Sequence, residues 1–334
     1  MTALKDGGLV VTEGQKVSLI DKEGWITLLA GCEEDGLEDG VGDQARFNSP
    51  VGIVESKEGD LYLCDQENHC IRKVTRKGEV TTLAGNGEEG YHDGKGKDAR
   101  LNIPTGLCMD AQGNIIFADS GNQRIRKVSP DGTVTTIAGS KKGFKDGPAG
   151  KALFNYPAYV AVDSKGSIFV SDFGNHCIRK IDGEGMVTTV AGNGKMGWAD
   201  GKGAKARFNS PQGMCIDKED TVYIADYGNQ RIRKMSKEGE VVTVAGSGEP
   251  GFAHGHGQLA RFRGPRSVSV SQDGIVYVGD RENFRVRKIS EDGYVWTFAG
   301  MGKLGGCGDD ACEDEFCGPT RRLSSRRVME GEEF

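Results

Sequence analysis

AGNGEEGYHDGKGKDARLNIPTGLCMDAQGNIIFAD, residues Ala84–Asp119, is the stretch whose reading decides the fold. Its first half is polar and glycine-rich, and its second half holds two short apolar runs divided by Asp110-Ala111-Gln112-Gly113. The arrangement recurs along the chain. Its Ala-Gly start falls at Ala30-Gly31, Ala84-Gly85, Ala138-Gly139, Ala191-Gly192, Ala245-Gly246 and Ala299-Gly300, in steps of 54, 54, 53, 54 and 54 residues. A fixed period of this size marks a repeat architecture, in which each unit buries apolar surface against its neighbours.

One unit, from Pro50 to Pro104, carries four strand signals: Val51–Glu55, Leu61–Cys64, Cys70–Val74 and Val80–Leu83. Short β-branched runs parted by Gly, Asp and Asn turns read as antiparallel strands. The second run of each unit is apolar at consecutive positions, as in Ile115-Ile116-Phe117 and Ile168-Phe169-Val170. Such a strand has to be covered on both faces. Radially stacked four-stranded sheets meet that demand, so the expected architecture is a β-propeller. Third-strand runs at Val17–Ile20, Ile71–Val74, Ile125–Val128, Ile178–Ile181, Ile232–Met235 and Val286–Ile289 set the count at six blades. The expectation is one all-β, six-bladed propeller over residues 1–328, with 329–334 as a frayed tail.

Closure is the less regular part. Leu9-Val10-Val11 reads as a second strand with no first strand before it, and Pro319 lies 54 residues after Pro265. The sequence therefore predicts that the C-terminal segment pairs beside Leu9–Val11, completes blade one and removes an open edge. Arg321, Arg322, Arg326 and Arg327 in that segment are costly to bury unless they face a wet channel or find partners.

The strings Gly121-Asn122-Gln123-Arg124-Ile125-Arg126-Lys127, Gly174-Asn175-His176-Cys177-Ile178-Arg179-Lys180 and Gly228-Asn229-Gln230-Arg231-Ile232-Arg233-Lys234 resemble the NHL repeat. So do the Val-Thr-Thr-x-Ala-Gly strands and the Asp-Gly-x-Gly loops such as Asp93-Gly94-Lys95-Gly96. The resemblance covers nearly the whole chain. It implies a six-bladed propeller that serves as a binding platform for proteins and, in some members, RNA; wider relatives include lyases and hydrolases. Fold alone does not choose among these.

The chain has 334 residues, 52 of them Gly and 9 Pro, and a formal charge of −6 with both signs interspersed. Met1–Leu9 lacks the basic and apolar regions of a signal peptide. No apolar run approaches the roughly 20 residues that span a bilayer, so no membrane insertion is expected. Nine cysteines, most within apolar strands, point to reduced thiols in a cytoplasmic or other reducing compartment.

Most polar motifs have a structural reading. Asp65, Asp119, Asp172, Asp226 and Asp280 each end a second strand and precede a turn with Asn68, Asn122, Asn175, Asn229 or Asn283. Asp and Asn at turns bond local backbone, and repetition in every blade suits a scaffold better than an asymmetric catalytic site. The loop aspartates Asp39, Asp93, Asp146 and Asp200 lack the further ligands of a calcium loop, and their glycines suit positive φ angles. The Arg-Lys pairs from Arg72-Lys73 to Arg287-Lys288 are expected as solvated strand faces, spread too evenly for a nucleic-acid patch. The five histidines form no zinc-ligand spacing, and no metal or cofactor is expected. Cys307, Cys312 and Cys317 read as free thiols of an irregular loop, and Arg321-Arg322-Leu323-Ser324 resembles a basophilic kinase site.

What varies between units is the column Leu37, Tyr91, Phe144, Trp198, Phe252, Gly306, together with His92, His254 and His256. Aromatics there either plug each loop or form a partner surface, since aromatic residues are enriched at interface cores. The expected function is a non-catalytic interaction platform binding a protein partner through Tyr91, His92, Phe144, Trp198, Phe252, His254 and His256 on the long-loop face. The alternatives are a lyase or hydrolase with a channel-mouth site, and an RNA-binding propeller.

Overall fold

The computed structural model describes residues 1–302. Six antiparallel sheets follow one another in chain order. Blade one is Thr2–Ala3, Leu9–Glu13, Lys16–Ile20 and Ile26–Gly31. Blades two to six have innermost strands at Pro50–Glu55, Pro104–Met109, Pro157–Val162, Pro211–Ile216 and Pro265–Val270, and outer strands ending at Ala84, Gly139, Ala191, Ala245 and Ala299. The all-β six-bladed propeller read from the repeats is the observed fold.

Two details differ from the expectation. Blades two to six each gain a fifth strand of two residues (Gly40–Val41, Gly94–Lys95, Gly147–Pro148, Gly201–Lys202, Gly255–His256) on the outer edge. It comes from the loop that arrives from the preceding blade. Gly40 pairs with Val80 and Val41 with Glu79, at the start of the outer strand. The long loop thus leaves the upper face, descends the flank of the next blade and climbs back to its innermost strand.

The second difference is closure. Thr2 pairs with Val10 and Ala3 with Leu9, so blade one takes its innermost strand from residues that precede Leu9. The position expected for the C-terminal strand is already occupied. Two residues have no periodicity to betray them. The segment Arg321–Arg327, the cysteines Cys307, Cys312 and Cys317, Gly306, Ser324 and the tail 329–334 lie outside the described residues.

The core is divided among the joints between blades. Each joint from one–two to five–six has an apolar cluster, plugged by a ring or branch from the connecting loop: Phe47, Leu101, Phe154, Phe208 and Phe262, all fully buried. Full burial of such a side chain stabilises by about 1.5–3 kcal/mol. Among the described residues the joint between blades six and one has no such plug. Leu9, Val11, Ile20, Tyr277 and Ala299 pack there instead, and the Ala3 N–H donates to Ser269 Oγ at 2.8 Å.

Candidate functional site

Beneath the upper face runs a repeated polar layer. In blade three, Asp119 ends the second strand with no solvent exposure. Its Oδ1 accepts the Asn102 N–H at 2.7 Å, and its Oδ2 accepts Asn122 Nδ2 at 2.8 Å and Arg126 Nη1 at 2.8 Å. Arg126 Nη2 donates to Asp93 Oδ1 of the incoming loop at 2.7 Å, and Asp93 also accepts the Thr136 N–H and hydroxyl. One aspartate closes the turn, one guanidinium ties it to the loop, and the second aspartate ties the loop to the outer strand. The set recurs around Arg72, Arg179 and Arg233.

This corrects the reading of the Arg-Lys pairs as solvated faces. Arg72, Arg126, Arg179, Arg233 and Arg287 have no exposure at all. Adjacent residues of a strand point to opposite faces, so the arginine turns inward and leaves only the lysine outside. Burial pushes the aspartates upward, Asp172 and Asp226 to about 6, against the pull of their arginine, asparagine and backbone donors. In blade six His254 replaces the loop aspartate and contacts Thr297 Oγ1 through Nε2 at 3.2 Å, leaving Arg287 with Asp280 as its carboxylate partner.

A second layer links each blade to the next. Gln15, Gln123 and Gln230 accept the N–H of Ser49, Tyr156 and Gly264 at 2.7, 2.6 and 2.7 Å through Oε1; His69 and His176 accept from Ile103 and Ser210 at 3.1 and 3.0 Å through Nδ1. These two histidines are joints of the scaffold.

The aromatic column lies on the shoulder of the upper face. Leu37, Tyr91, Phe144 and Trp198 are 38%, 47%, 46% and 46% exposed, and Phe252 is half-buried. Each ring rests on a guanidinium: Arg124 is 3.8 Å from the Tyr91 centroid, Arg231 is 4.0 Å from Trp198, Arg285 is 4.0 Å from Phe252 and Arg179 is 5.2 Å from Phe144. The Tyr91 hydroxyl meets Thr136 Oγ1 at 3.1 Å, and Trp198 Nε1 donates to Thr243 Oγ1 at 3.2 Å. These rings are held from below while their upper faces stay open. The support follows a pairing within the repeats that was readable but unread: Tyr91, Trp198 and Phe252 go with Arg124, Arg231 and Arg285, whereas Leu37 and Phe144 go with Cys70 and Cys177.

The histidines do not all join that surface. His92 is exposed beside Tyr91, with Nδ1 3.1 Å from the Asp98 carbonyl. His256 pairs with Tyr294 at the start of the outer strand and stacks edge-on against its ring at 4.8 Å. His254 and His256 thus run down the flank of blade six, where His254, Tyr294, Trp296 and Thr297 line a cavity of about 300 Å³.

The six described cysteines are free, and burial raises the thiols of Cys64, Cys70, Cys108, Cys177 and Cys215. Among the described residues no group of three or more His, Cys, Asp or Glu is placed to hold a metal ion. No described helix is long and apolar enough to cross a membrane.

Comparison with known proteins bears on this geometry. Residues 1–195 match the model of the SMP-30/Gluconolactonase/LRE-like region, and residues 208–235 and 262–289 match the NHL repeat. The chain is 29% identical over 297 residues to Protein SUPPRESSOR OF QUENCHING 1, chloroplastic, of Arabidopsis thaliana, covering 81% of this chain and 28% of that protein. It is 32% identical over 311 residues to NHL repeat-containing protein 2 of Gallus gallus, covering 80% of this chain and 42% of that protein. The chain therefore spans less than half the length of these curated relatives. An auxiliary nutrient binding protein from Bacteroides ovatus superposes with a TM-score of 0.63 at 20% identity, over 89% of this chain and 68% of that one, which speaks for the fold alone.

Proposed function

The chain belongs to the SMP-30/gluconolactonase/LRE-like propellers and is built of NHL repeats, and we propose that within that family it is a non-catalytic platform that holds a protein partner on the shoulder of its upper face. One observation carries this reading: the repeated polar groups are spent on the scaffold, while Tyr91, Phe144 and Trp198 stay nearly half exposed over fixed arginines. Aromatic rings that are already immobilised lose little conformational entropy on binding, which is what an interface anchor needs. The burial of one arginine in each Arg-Lys pair removes those guanidiniums from any nucleic-acid contact. Protein therefore suits this surface better than RNA.

The test is affinity purification with the rim truncated. Trp198→Ala and Tyr91→Ala are expected to lose the co-purifying partner, each by more than tenfold, because central aromatic anchors carry about 2 kcal/mol or more. Both variants should keep the wild-type melting temperature to within a few degrees. Retention of the partner by the double variant would remove the rim from the interface.

A further inference from the structure

At the centre of the upper face, the channel mouth is lined by the second residues of the innermost strands and the first residues of the turns that follow the second strands. In blades two to six these positions read Val51 with Gln66, Thr105 with Ser120, Ala158 with Phe173, Gln212 with Tyr227 and Arg266 with Arg281. In blade three they are internally satisfied: Thr105 Oγ1 lies 2.6 Å from Ser120 Oγ, and each hydroxyl also reaches a carbonyl of blade four. In blade six they are not. Arg266 is half-buried, Arg281 is exposed, and among the described residues neither guanidinium has a hydrogen bond or ion pair. Burial opposes the charge on Arg266, and the Arg281 guanidinium adds to that cost.

The neighbouring acid does not relieve this. Glu282 accepts the Tyr227 hydroxyl through Oε1 at 3.1 Å and forms no ion pair with either arginine. The Tyr159 ring lies over Gly106 of blade three, where an added Cβ would sit 2.3 Å from it, and the Arg266 charge acts on the Tyr159 and Tyr227 hydroxyls. Below the mouth is a cavity of about 190 Å³ whose lining includes Ile53, Leu107, Tyr159, Met214 and Val268.

We propose that this axial mouth binds a carboxylate, with Arg266 as its principal donor and Arg281 as the second. A planar guanidinium fork matches a carboxylate through two parallel N–H···O bonds. Two guanidinium charges set against Glu282 leave one net positive charge, which a single carboxylate neutralises and a phosphate dianion exceeds. The carboxylate belongs either to a small free acid or to the end of a peptide chain. This site stands apart from the aromatic shoulder and does not depend on it.

Thermal unfolding of the full chain at constant ionic strength tests the assignment, with succinate as the free acid, N-acetyl-dialanine as the peptide acid, its C-terminal amide, and inorganic phosphate as probes. At least one of the two acids should raise the melting temperature over chloride, by about 2 °C at ten times its dissociation constant. Whichever acid gives the larger shift identifies the source. Arg266→Met should abolish the shift while melting in chloride at or above the wild-type temperature, because it removes an unpaired, half-buried charge. Arg266→Lys keeps the charge without the fork and should retain only part of the shift. The assignment is overturned if neither acid stabilises, if the amide or phosphate stabilises as well as the acids, or if Arg266→Met keeps the effect.

Discussion

At Arg126 a guanidinium without solvent exposure donates to Asp119, to Asp93 and to the carbonyls of Arg100 and His92. Removing it strands one fully buried carboxylate and one at the surface. Loss of one partner from a buried ion pair costs about 3–5 kcal/mol, whereas an exposed pair contributes under about 1 kcal/mol. Arg126→Met is thus expected to cost about 3–5 kcal/mol in urea unfolding, nearly all of it through Asp119. Arg287→Met should cost less by under about 1 kcal/mol, since it loses the buried Asp280 pair but has no loop aspartate to lose. Equal losses would mean that Asp93 contributes nothing. The structural role of the turn Asp and Asn was legible because they recur in every unit. Their arginine was not, because an Arg-Lys pair looks basic when read alone. The missed signal is constant spacing, seven residues from turn Asp to Arg and 33 from loop Asp to Arg.

Among the elements, the innermost strands show how one blade constrains the next. Position Gly106 approaches the Tyr159 ring and the Ala158 carbonyl so closely that a Cβ would lie 2.3 and 2.6 Å away. The equivalents of Tyr159 in blades two, three, five and six are Gly52, Gly106, Gly213 and Ser267, so this is a single large side chain set into a column of small ones. Gly106→Ala should destabilise by about 1–3 kcal/mol through overpacking. In a Tyr159→Gly background the cost should shrink without vanishing, because the carbonyl contact remains. Strictly additive losses in that double-mutant cycle would show that the ring does not set the glycine requirement. The closing element was misread for a related reason. Thr2–Ala3 is a strand only through its partners Leu9, Val10 and Ser269, and two residues carry no pattern of their own.

For the whole molecule, titration brings two opposed sets of carboxyls into play. Asp172 and Asp226, raised to about 6, bind protons more tightly folded than unfolded, where the reference is 3.8. As pH falls from about 6 to about 4 their protonation therefore favours the fold. Asp220, Asp273 and Asp292 are held below 3.8, chiefly by hydroxyls of Ser164, Ser271 and Ser290. Their contribution is present above 3.8 and is lost as pH drops through their folded values. The melting temperature, followed by circular dichroism, should hold or rise from pH 7 to about 5 and fall below about pH 4. A steady decline beginning at pH 6 would contradict the raised pair. Period, blade number and the doubly buried second strands were determined by sequence alone, because a sheet that is apolar on both sides has to stand between two others. Only the tertiary structure decided which arginines turn inward, how the loops fold down the flanks, which strand completes blade one and which guanidiniums at the axial mouth are left without a carboxylate partner. Those outcomes depend on groups that the ring brings together from distant parts of the chain, and no local pattern encodes their meeting.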